Sequence, residues 1–116
     1  GQDIEFDYSQ IRPEGARLKT KGGRASGPDP LKRLLSFAKI RILSKQGSYL
    51  SSLDLHDINC YAHWIVKMGG VRRASGISLS DLDDPDMRDC KQYGFWNGNK
   101  QRNQANNSAV YLQKPT

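Results

Sequence analysis

The sequence is poor in cysteine, and the cysteine it has lies in no recognised ligand spacing. Cys60 and Cys90 are the two cysteines among 116 residues, and neither is part of a Cys-x-x-Cys or Cys/His pattern. A zinc site and a disulfide framework are therefore unsupported. We predict that both thiols are reduced and structural, in a cytoplasmic protein.

Long hydrophobic runs are also missing. No apolar stretch approaches the roughly 20 residues that a membrane span needs, and no signal-peptide pattern is visible, so we expect no membrane partner. Apolar residues make up 36% of the chain and the mean hydropathy is −0.73. These values indicate that residues 1–116 form one small unit with a modest core.

Positive charge, in contrast, is abundant. The net charge is +6, and the cations are spread along the whole length of the chain. This balance indicates an anionic partner such as a nucleotide, a nucleic acid or an acidic surface, without selecting among them.

The hydrophobic pattern predicts an α/β fold. Its predicted order is strand (residues 4–8), long loop, two helices, loop, strand, short helix and a final strand over residues 105–111. Strands separated by helices favour parallel pairing, as in an α/β sheet or barrel.

The long first loop, residues 12–30, is rich in glycine and cations. Its Gly22-Gly23-Arg24 segment is able to present backbone N–H groups to an anion, although it matches neither a Walker A motif nor a GxGxxG fingerprint. Loops of this length are usually functional or disordered. A flexible basic linker is therefore the alternative interpretation.

Two helices follow this loop. Asp29-Pro30 predicts an N-cap and first position for the helix 31–46, whose basic face is either solvated or a nucleic-acid surface. Ser51 and Asp54 predict a capping box for the second helix. Its predicted apolar face consists of Leu55, Ile58, Ala62, Ile65 and Val66. On this helix, His56 and His63 share a side but are two turns apart, too far to hold one metal ion alone, so we predict that both are structural or exposed.

The second helix ends in another basic loop, Gly69 to Gly76. Its glycines permit positive φ and close approach to a ligand, and Arg72 and Arg73 offer planar forks of donors for phosphate or base edges. Alone, this pattern also fits a simple helix end with solvated arginines. Asp84-Pro85 then predicts the start of the short helix, and the aspartates around it fit turns and caps better than a calcium loop.

Three segments together resemble the catalytic subunit of ribonucleotide reductases, most closely the monomeric adenosylcobalamin-dependent (class II) ribonucleoside-triphosphate reductases. They are residues 11–16 continuing to 22–31, residues 70–75 and residues 106–108. The resemblance implies a segment of the family's ten-stranded α/β barrel. Residues 12–30 look like loop 1 of the family's allosteric specificity site. Residues 69–78 look like loop 2, which in the family lies between the effector and the substrate.

The resemblance also implies roles for individual residues. Effector binding falls to Arg12, Gly22, Gly23 and Arg24, and contact with the substrate to Gly70, Val71, Arg72, Arg73 and Ser75. The implied reaction is radical reduction of ribonucleotides to deoxyribonucleotides, with adenosylcobalamin as cofactor. The implied partners are a nucleoside triphosphate substrate, a deoxynucleoside triphosphate effector and a thioredoxin-like reductant.

The family's catalytic cysteine motif, of the Asn-Pro-Cys-Gly-Glu type, is absent from this sequence. We therefore predict no catalytic residue and no metal ligand here, and expect companion reductase chains to supply the catalytic cysteines and most of the cobalamin site. The alternatives are a small basic nucleic-acid-binding module and a freestanding nucleotide-binding regulator that has lost catalysis.

Overall fold

The computed structural model describes residues 2–19, 22–68, 75–92 and 94–114, with the backbone alone at residues 67 and 68. Helix α1 spans Asp29–Ser44 and helix α2 spans Ser52–Met68. Strand β1 (Gly76–Asp81) and the short helix α3 (Pro85–Asp89) follow. Two 3-10 turns, Phe95–Asn97 and Lys100–Gln104, then lead into strand β2 (Ala105–Val110). From α1 onward, the predicted order of elements is confirmed.

The two strands form a parallel sheet, as predicted. Gly76 is paired with Ala105 at one end of the register and Asp81 with Val110 at the other. Helix α2 packs on α1, on α3, on β1 and on the turn that precedes β2. The described part of the chain is thus an α/β unit in which α2 packs against β1.

The strand predicted over residues 4–8 is wrong. These residues pair with no other strand in the described part of the chain, and Ile4 is 67% exposed. Alternation of apolar and polar residues is only a local signal, whereas a strand needs a neighbour for its backbone N–H and C=O groups. The segment lies instead against α1, where Lys39 pairs with Asp3 at 2.8 Å.

Side-chain caps start two of the three helices. Ser51 Oγ accepts from the Asp54 N–H at 3.1 Å and the Ser51 N–H donates to Asp54 Oδ2 at 3.0 Å, which confirms the predicted capping box. Asp84 caps α3 by accepting from the Met87 N–H at 3.1 Å, also as predicted. The prediction for α1 is wrong in detail, because Pro28 occupies the N-cap position and Asp29 is already helical. Without an N-cap conformation, the Asp29 carboxylate makes no cap hydrogen bond.

The predicted apolar face of α2 is only partly correct. Leu55 and Val66 are 51% and 48% exposed, whereas the fully buried positions of this helix are polar or thiol side chains: Asp54, His56, Asp57 and Cys60. The cause is a buried arginine from a distant part of the chain, Arg102, which packs against this face and requires a carboxylate partner. The centre of the molecule is therefore an ion pair, and apolar packing surrounds it.

The chain is more extended than an independent domain of its length. Its radius of gyration is 16.9 Å, against about 13 Å expected for a compact domain of this size. Several large apolar side chains remain exposed, including Ile77 and Leu79 of β1. None of the helices in the described ranges is both long enough and apolar enough to cross a membrane.

Candidate nucleotide-binding loops

The first basic loop folds into a small hairpin. Arg17 and Arg24 form an antiparallel bridge, the Gly15 N–H donates to the Ala25 carbonyl at 2.9 Å, and the Ala25 N–H donates to the Ala16 carbonyl at 2.8 Å. Near the tip, Gly22 and Gly23 adopt φ of +67° and +84°, a conformation that other residues rarely take. The described residues of this loop, 12–19 and 22–30, therefore form a hydrogen-bonded hairpin.

The two ends of this hairpin meet at a second glycine-dependent contact. Gly27 has φ of +74°, and a Cβ there would lie 2.9 Å from the backbone nitrogen of Glu14. A larger residue at this position would push the two ends apart. Gly27 thus joins the base of the hairpin to the start of α1.

A cleft of about 440 Å³ lies between the hairpin and the first turn of α1. Arg24 and Arg33 supply its positive charge, and Glu14 and Asp29 supply two carboxylates. Arg24 Nη1 donates to the Gly15 carbonyl at 3.1 Å, which fixes the guanidinium against the hairpin and leaves further N–H donors for a ligand. The N-terminus of α1 has no side-chain cap, so the positive end of its helix dipole is available to an anion in this region.

The predicted effector residues are only partly brought together here. Arg24 lines the cleft, whereas Arg12, Gly22 and Gly23 are not among its lining residues and are exposed elsewhere on the loop. Arg33, which the sequence analysis placed only on a basic helix face, does line it. Its position four residues after Asp29, one turn into α1, was the signal that could have identified it.

Most of the second basic loop lies outside the described residues. This applies to Gly70, Val71, Arg72 and Arg73, while Ser75 is described and is exposed just before β1. Gly76 opens β1 without a positive φ, and a Cβ there would lie 2.7 Å from the His63 ring. The loop therefore ends at a close contact with α2.

Buried ion pairs connect the elements that carry these two loops. Arg102 donates to Asp57 through Nε at 2.6 Å and Nη2 at 2.8 Å, and to the Cys90 carbonyl through Nη1 at 2.8 Å. From the other side, Arg41 of α1 lies 3.4 Å from Asp57 and 3.3 Å from Asp54. Helix α1, which follows the first loop, is thus joined to α2, which precedes the second. Sequence reasoning missed this network.

Both cysteines are free and buried, and neither has the surroundings of a reactive thiol, in line with the structural role predicted for them. Burial, together with the nearby Asp57 carboxylate, raises the pKa of Cys60 to about 11. Cys90 donates to the Met87 carbonyl at 3.1 Å and accepts from Asn107 Nδ2 at 2.9 Å. A protonated thiol is a poor nucleophile, so the geometry supports structural roles for both.

The two histidines face β1 from one side of α2. His56 is buried, its Nδ1 lies 2.7 Å from Ser78 Oγ, and burial lowers its pKa. His63 is half-buried beside Gly76. No cluster of three or more potential metal ligands occurs within the described ranges.

The basic face of α1 is largely used within the chain. Arg41 and Lys45 face Asp54, Lys39 pairs with Asp3, and Lys32 lies over the ring of Tyr8. Cations that already have intramolecular partners are poorly suited to follow a phosphate backbone. The arrangement argues against a nucleic-acid surface on this helix.

The chain is similar in sequence to one segment of several ribonucleotide reductases. The chain is 35% identical over 91 residues to an adenosylcobalamin-dependent ribonucleoside-triphosphate reductase of Euglena gracilis, and 37% identical over 91 residues to one of Lactobacillus leichmannii. A reductase of the same name from Lacticaseibacillus paracasei is 38% identical over 89 residues. The chain matches one segment of these reductases. The resemblance inferred from the sequence is confirmed.

The match has clear limits. It covers 77–78% of this chain but only 12% of each reductase. No protein-family model and no solved structure matches the chain significantly. The reductases are named for their dependence on adenosylcobalamin. A further cleft of about 570 Å³ beside β1 does not fit that cofactor, because it is too small for a corrin ring with its nucleotide tail and adenosyl group.

Proposed function

We propose that this chain is the specificity segment of an adenosylcobalamin-dependent ribonucleoside-triphosphate reductase. In this role its first basic loop binds a deoxynucleoside triphosphate effector, and its second loop adjusts the substrate site to the effector's base. The similarity to reductases over more than three quarters of the chain carries the proposal. Catalysis then depends on companion reductase segments, which supply the catalytic cysteines and bind most of the cofactor.

The hairpin and its cleft support the effector half of the proposal. An effector triphosphate is strongly anionic, and the guanidinium groups of Arg24 and Arg33 lie with the uncapped start of α1 around one cleft. Arg12, Gly22 and Gly23 lie on the same loop and would complete the frame around the nucleotide. The carboxylates of Glu14 and Asp29 would be left to face the sugar or solvent, since they repel phosphate.

The ion-pair network supports the coupling half. Arg41, Asp57 and Arg102 connect α1, α2 and the turn before β2 by charge-assisted contacts in the interior. Helix α1 begins at the first loop, and α2 leads into the second. A shift at one loop is therefore able to reach the other through packed, rigid elements, at a typical coupling energy of about 1 to 3 kcal/mol.

The sequence has no radical cysteine motif, so in this proposal the catalytic cysteines belong to the companion segments. Cys60 and Cys90 are both buried, and burial raises the pKa of Cys60 to about 11, so neither has the exposed, activated thiol that exchange with a thioredoxin-like reductant needs. The extended shape and the exposed apolar residues of β1 fit a chain that packs against the rest of a larger enzyme. We place that enzyme in the cytoplasm.

The test compares two arginine variants in the assembled enzyme, meaning this chain together with the reductase segments that it lacks. Arg72→Ala should largely erase the effector-dependent choice of base and weaken substrate use, because the second loop carries the coupling. Effector affinity should remain nearly intact. Arg12→Ala should instead weaken effector binding first, by roughly 1.5 to 3 kcal/mol for a lost charge-assisted contact.

The measurements are reduction of competing ribonucleoside triphosphates with each deoxynucleotide effector, and titration of the effector. An Arg72→Ala enzyme with a complete effector-dependent switch would show that the second loop is not the communicating element. Native mass spectrometry of the purified protein separates the alternatives. Bound reductase segments support this proposal, copurifying nucleic acid supports a nucleic-acid-binding module, and the chain with a nucleotide alone supports a freestanding regulator.

A further inference from the structure

We infer that His63 is a specificity-positioning residue: its ring acts as a stop against Gly76 and so fixes where the second loop ends and β1 begins. This inference rests on the proposed function. His63 belongs to α2 and lies two turns after His56.

The contact itself is unusually close. A Cβ on residue 76 would lie 2.7 Å from His63 Cε1 and 3.2 Å from Nδ1. Gly76 has no positive φ, so glycine is not required there by backbone conformation. The ring of His63 is what excludes a side chain at this position. The backbone of β1 therefore approaches α2 more closely at residue 76 than any other residue type permits.

A second contact between α2 and β1, made by His56, restrains the same end of the strand. Two residues along β1, Ser78 Oγ lies 2.7 Å from His56 Nδ1. His56 and His63 are seven positions apart, so they lie on the same side of α2. One histidine holds the strand by a hydrogen bond and the other limits it by shape. Together they fix the first half of β1 in both position and direction.

The His63 ring is half-buried, and its Nδ1 has no hydrogen-bond partner among the described residues. A buried nitrogen without a partner is costly, so the polar contacts of the ring do not hold it at this position. A methyl group at residue 76 displaces either the ring or the start of β1. Where the start of β1 is displaced, Ser75, the substrate-loop residue that precedes Gly76, moves with it.

The experiment uses the assembled enzyme and measures kcat/KM for competing ribonucleoside triphosphates with each effector. Gly76→Ala should reduce the effector-induced change in base preference at least about 5-fold, the lower range of allosteric coupling. Adding His63→Ala should restore most of the change, because the methyl group at residue 76 then fits into the space left by the ring and takes over part of its contact between α2 and β1. Gly98→Ala is the matched control: a Cβ there meets nothing within 4 Å, so the preference should not change.

A ratio of two substrates measured in one sample does not depend on the fraction of folded enzyme, so a loss of stability alone would leave it unchanged. If Gly76→Ala does not fold, His63→Ala alone adds no clash and should itself reduce the switch. A full effector response in Gly76→Ala, or a double variant no better than Gly76→Ala, would overturn the inference. A parent enzyme with no effector response at all would instead contradict the proposed function, and the inference with it.

Discussion

The two faces of the small sheet differ in polarity, and the polar face is the buried one, which is the reverse of the arrangement in an independent domain. On the helix-covered face, the side chains that are buried are small or polar, and behind them lies the Asp57–Arg102 ion pair. On the other face, Ile77 and Leu79 are 69% and 68% exposed. A chain that folds alone normally places its β-branched and leucine side chains inside and its charges outside.

This difference indicates what each face is for. A buried ion pair gives little net stability, but it fixes partners and geometry, because a charge left without its partner is costly. An exposed apolar strand face marks a surface that another segment covers. The interior thus sets the arrangement of α2 and the strands, and under the proposed function the outer face is the surface that a companion segment would cover.

The largest effect should come from breaking the interior. Asp57→Ala leaves the Arg102 guanidinium buried, with the Cys90 carbonyl as its remaining hydrogen-bond partner among the residues that the structure describes. We expect a loss of about 3 to 5 kcal/mol in local stability, the usual cost of an uncompensated buried charge. Amide hydrogen exchange in α2 and β2 of the assembled enzyme measures this loss directly.

Two variants serve as controls for Asp57→Ala. Asp89→Ala removes the carboxylate of an exposed ion pair with Arg88, and exchange should stay as in the parent because such pairs contribute little. Replacing both partners, with Asp57→Leu and Arg102→Met, should be milder than Asp57→Ala alone. Equal protection in Asp57→Ala and the parent would show that the ion pair does not organise the interior.

An intermediate effect should come from the outer face, and its size should depend on assembly. Leu79→Ala should cost about 1.5 to 3 kcal/mol in the assembled enzyme, where we expect the side chain to be buried. In the chain alone it should cost little and should reduce aggregation, because the exposed apolar area becomes smaller. Thermal denaturation and light scattering in both states measure the two effects.

Tyr49→Ala, in the exposed connection between α1 and α2, is the control for the outer face and should change neither state. A Leu79→Ala penalty that is the same with and without companion segments would mean that nothing covers this face. A sharp cooperative transition of the chain alone would likewise contradict the view that it depends on assembly.

The smallest effect concerns pH. Burial lowers the pKa of His56, and the neighbouring Lys91 and Arg102 act in the same direction while Asp57 opposes them. The folded state therefore binds fewer protons than the unfolded state once the pH falls below the unfolded value of about 6.5. Stability should decrease from pH 7 towards pH 5 and then level off below the folded pKa.

The Asp54 carboxylate does not contribute to the pH dependence in this window. Hydrogen bonds from Ser51 lower the pKa of Asp54, so its contribution is lost only below its ordinary value of 3.8. His56→Gln keeps a hydrogen-bonding group beside Ser78 and should flatten the profile of thermal midpoints between pH 5 and 7. An unchanged slope in this variant would assign the pH dependence to another group.

Apart from the parallel pairing of β1 and β2, the structural features that the sequence predicted correctly are local ones. The capping box at Ser51 and the N-cap at Asp84 are each formed within four residues, and the helical periods of α1 and α2 extend over single elements. The strand over residues 4–8 was wrongly predicted because a local alternation of apolar and polar residues does not reveal whether a neighbouring strand is present. The buried face of α2 was misjudged because Arg102 enters it from 45 positions further along the chain. Arg33 was missed as a cleft residue because the fold of the hairpin, and not the helix pattern, places it there.

The distance along the chain between Asp57 and Arg102 also has a consequence during synthesis. Ribosomes add about 5 to 20 residues per second, so Arg102 emerges roughly 2 to 9 seconds after Asp57. During that interval Asp57 of the newly made α2, which is buried in the finished fold, lacks its partner Arg102. Arg41 has already been made and lies 3.4 Å from the same carboxylate in the finished fold. We expect Arg41 to hold Asp57 against α1 until Arg102 has been made. Arg41 is then the first ion-pair partner of Asp57 during translation and remains a partner in the finished fold.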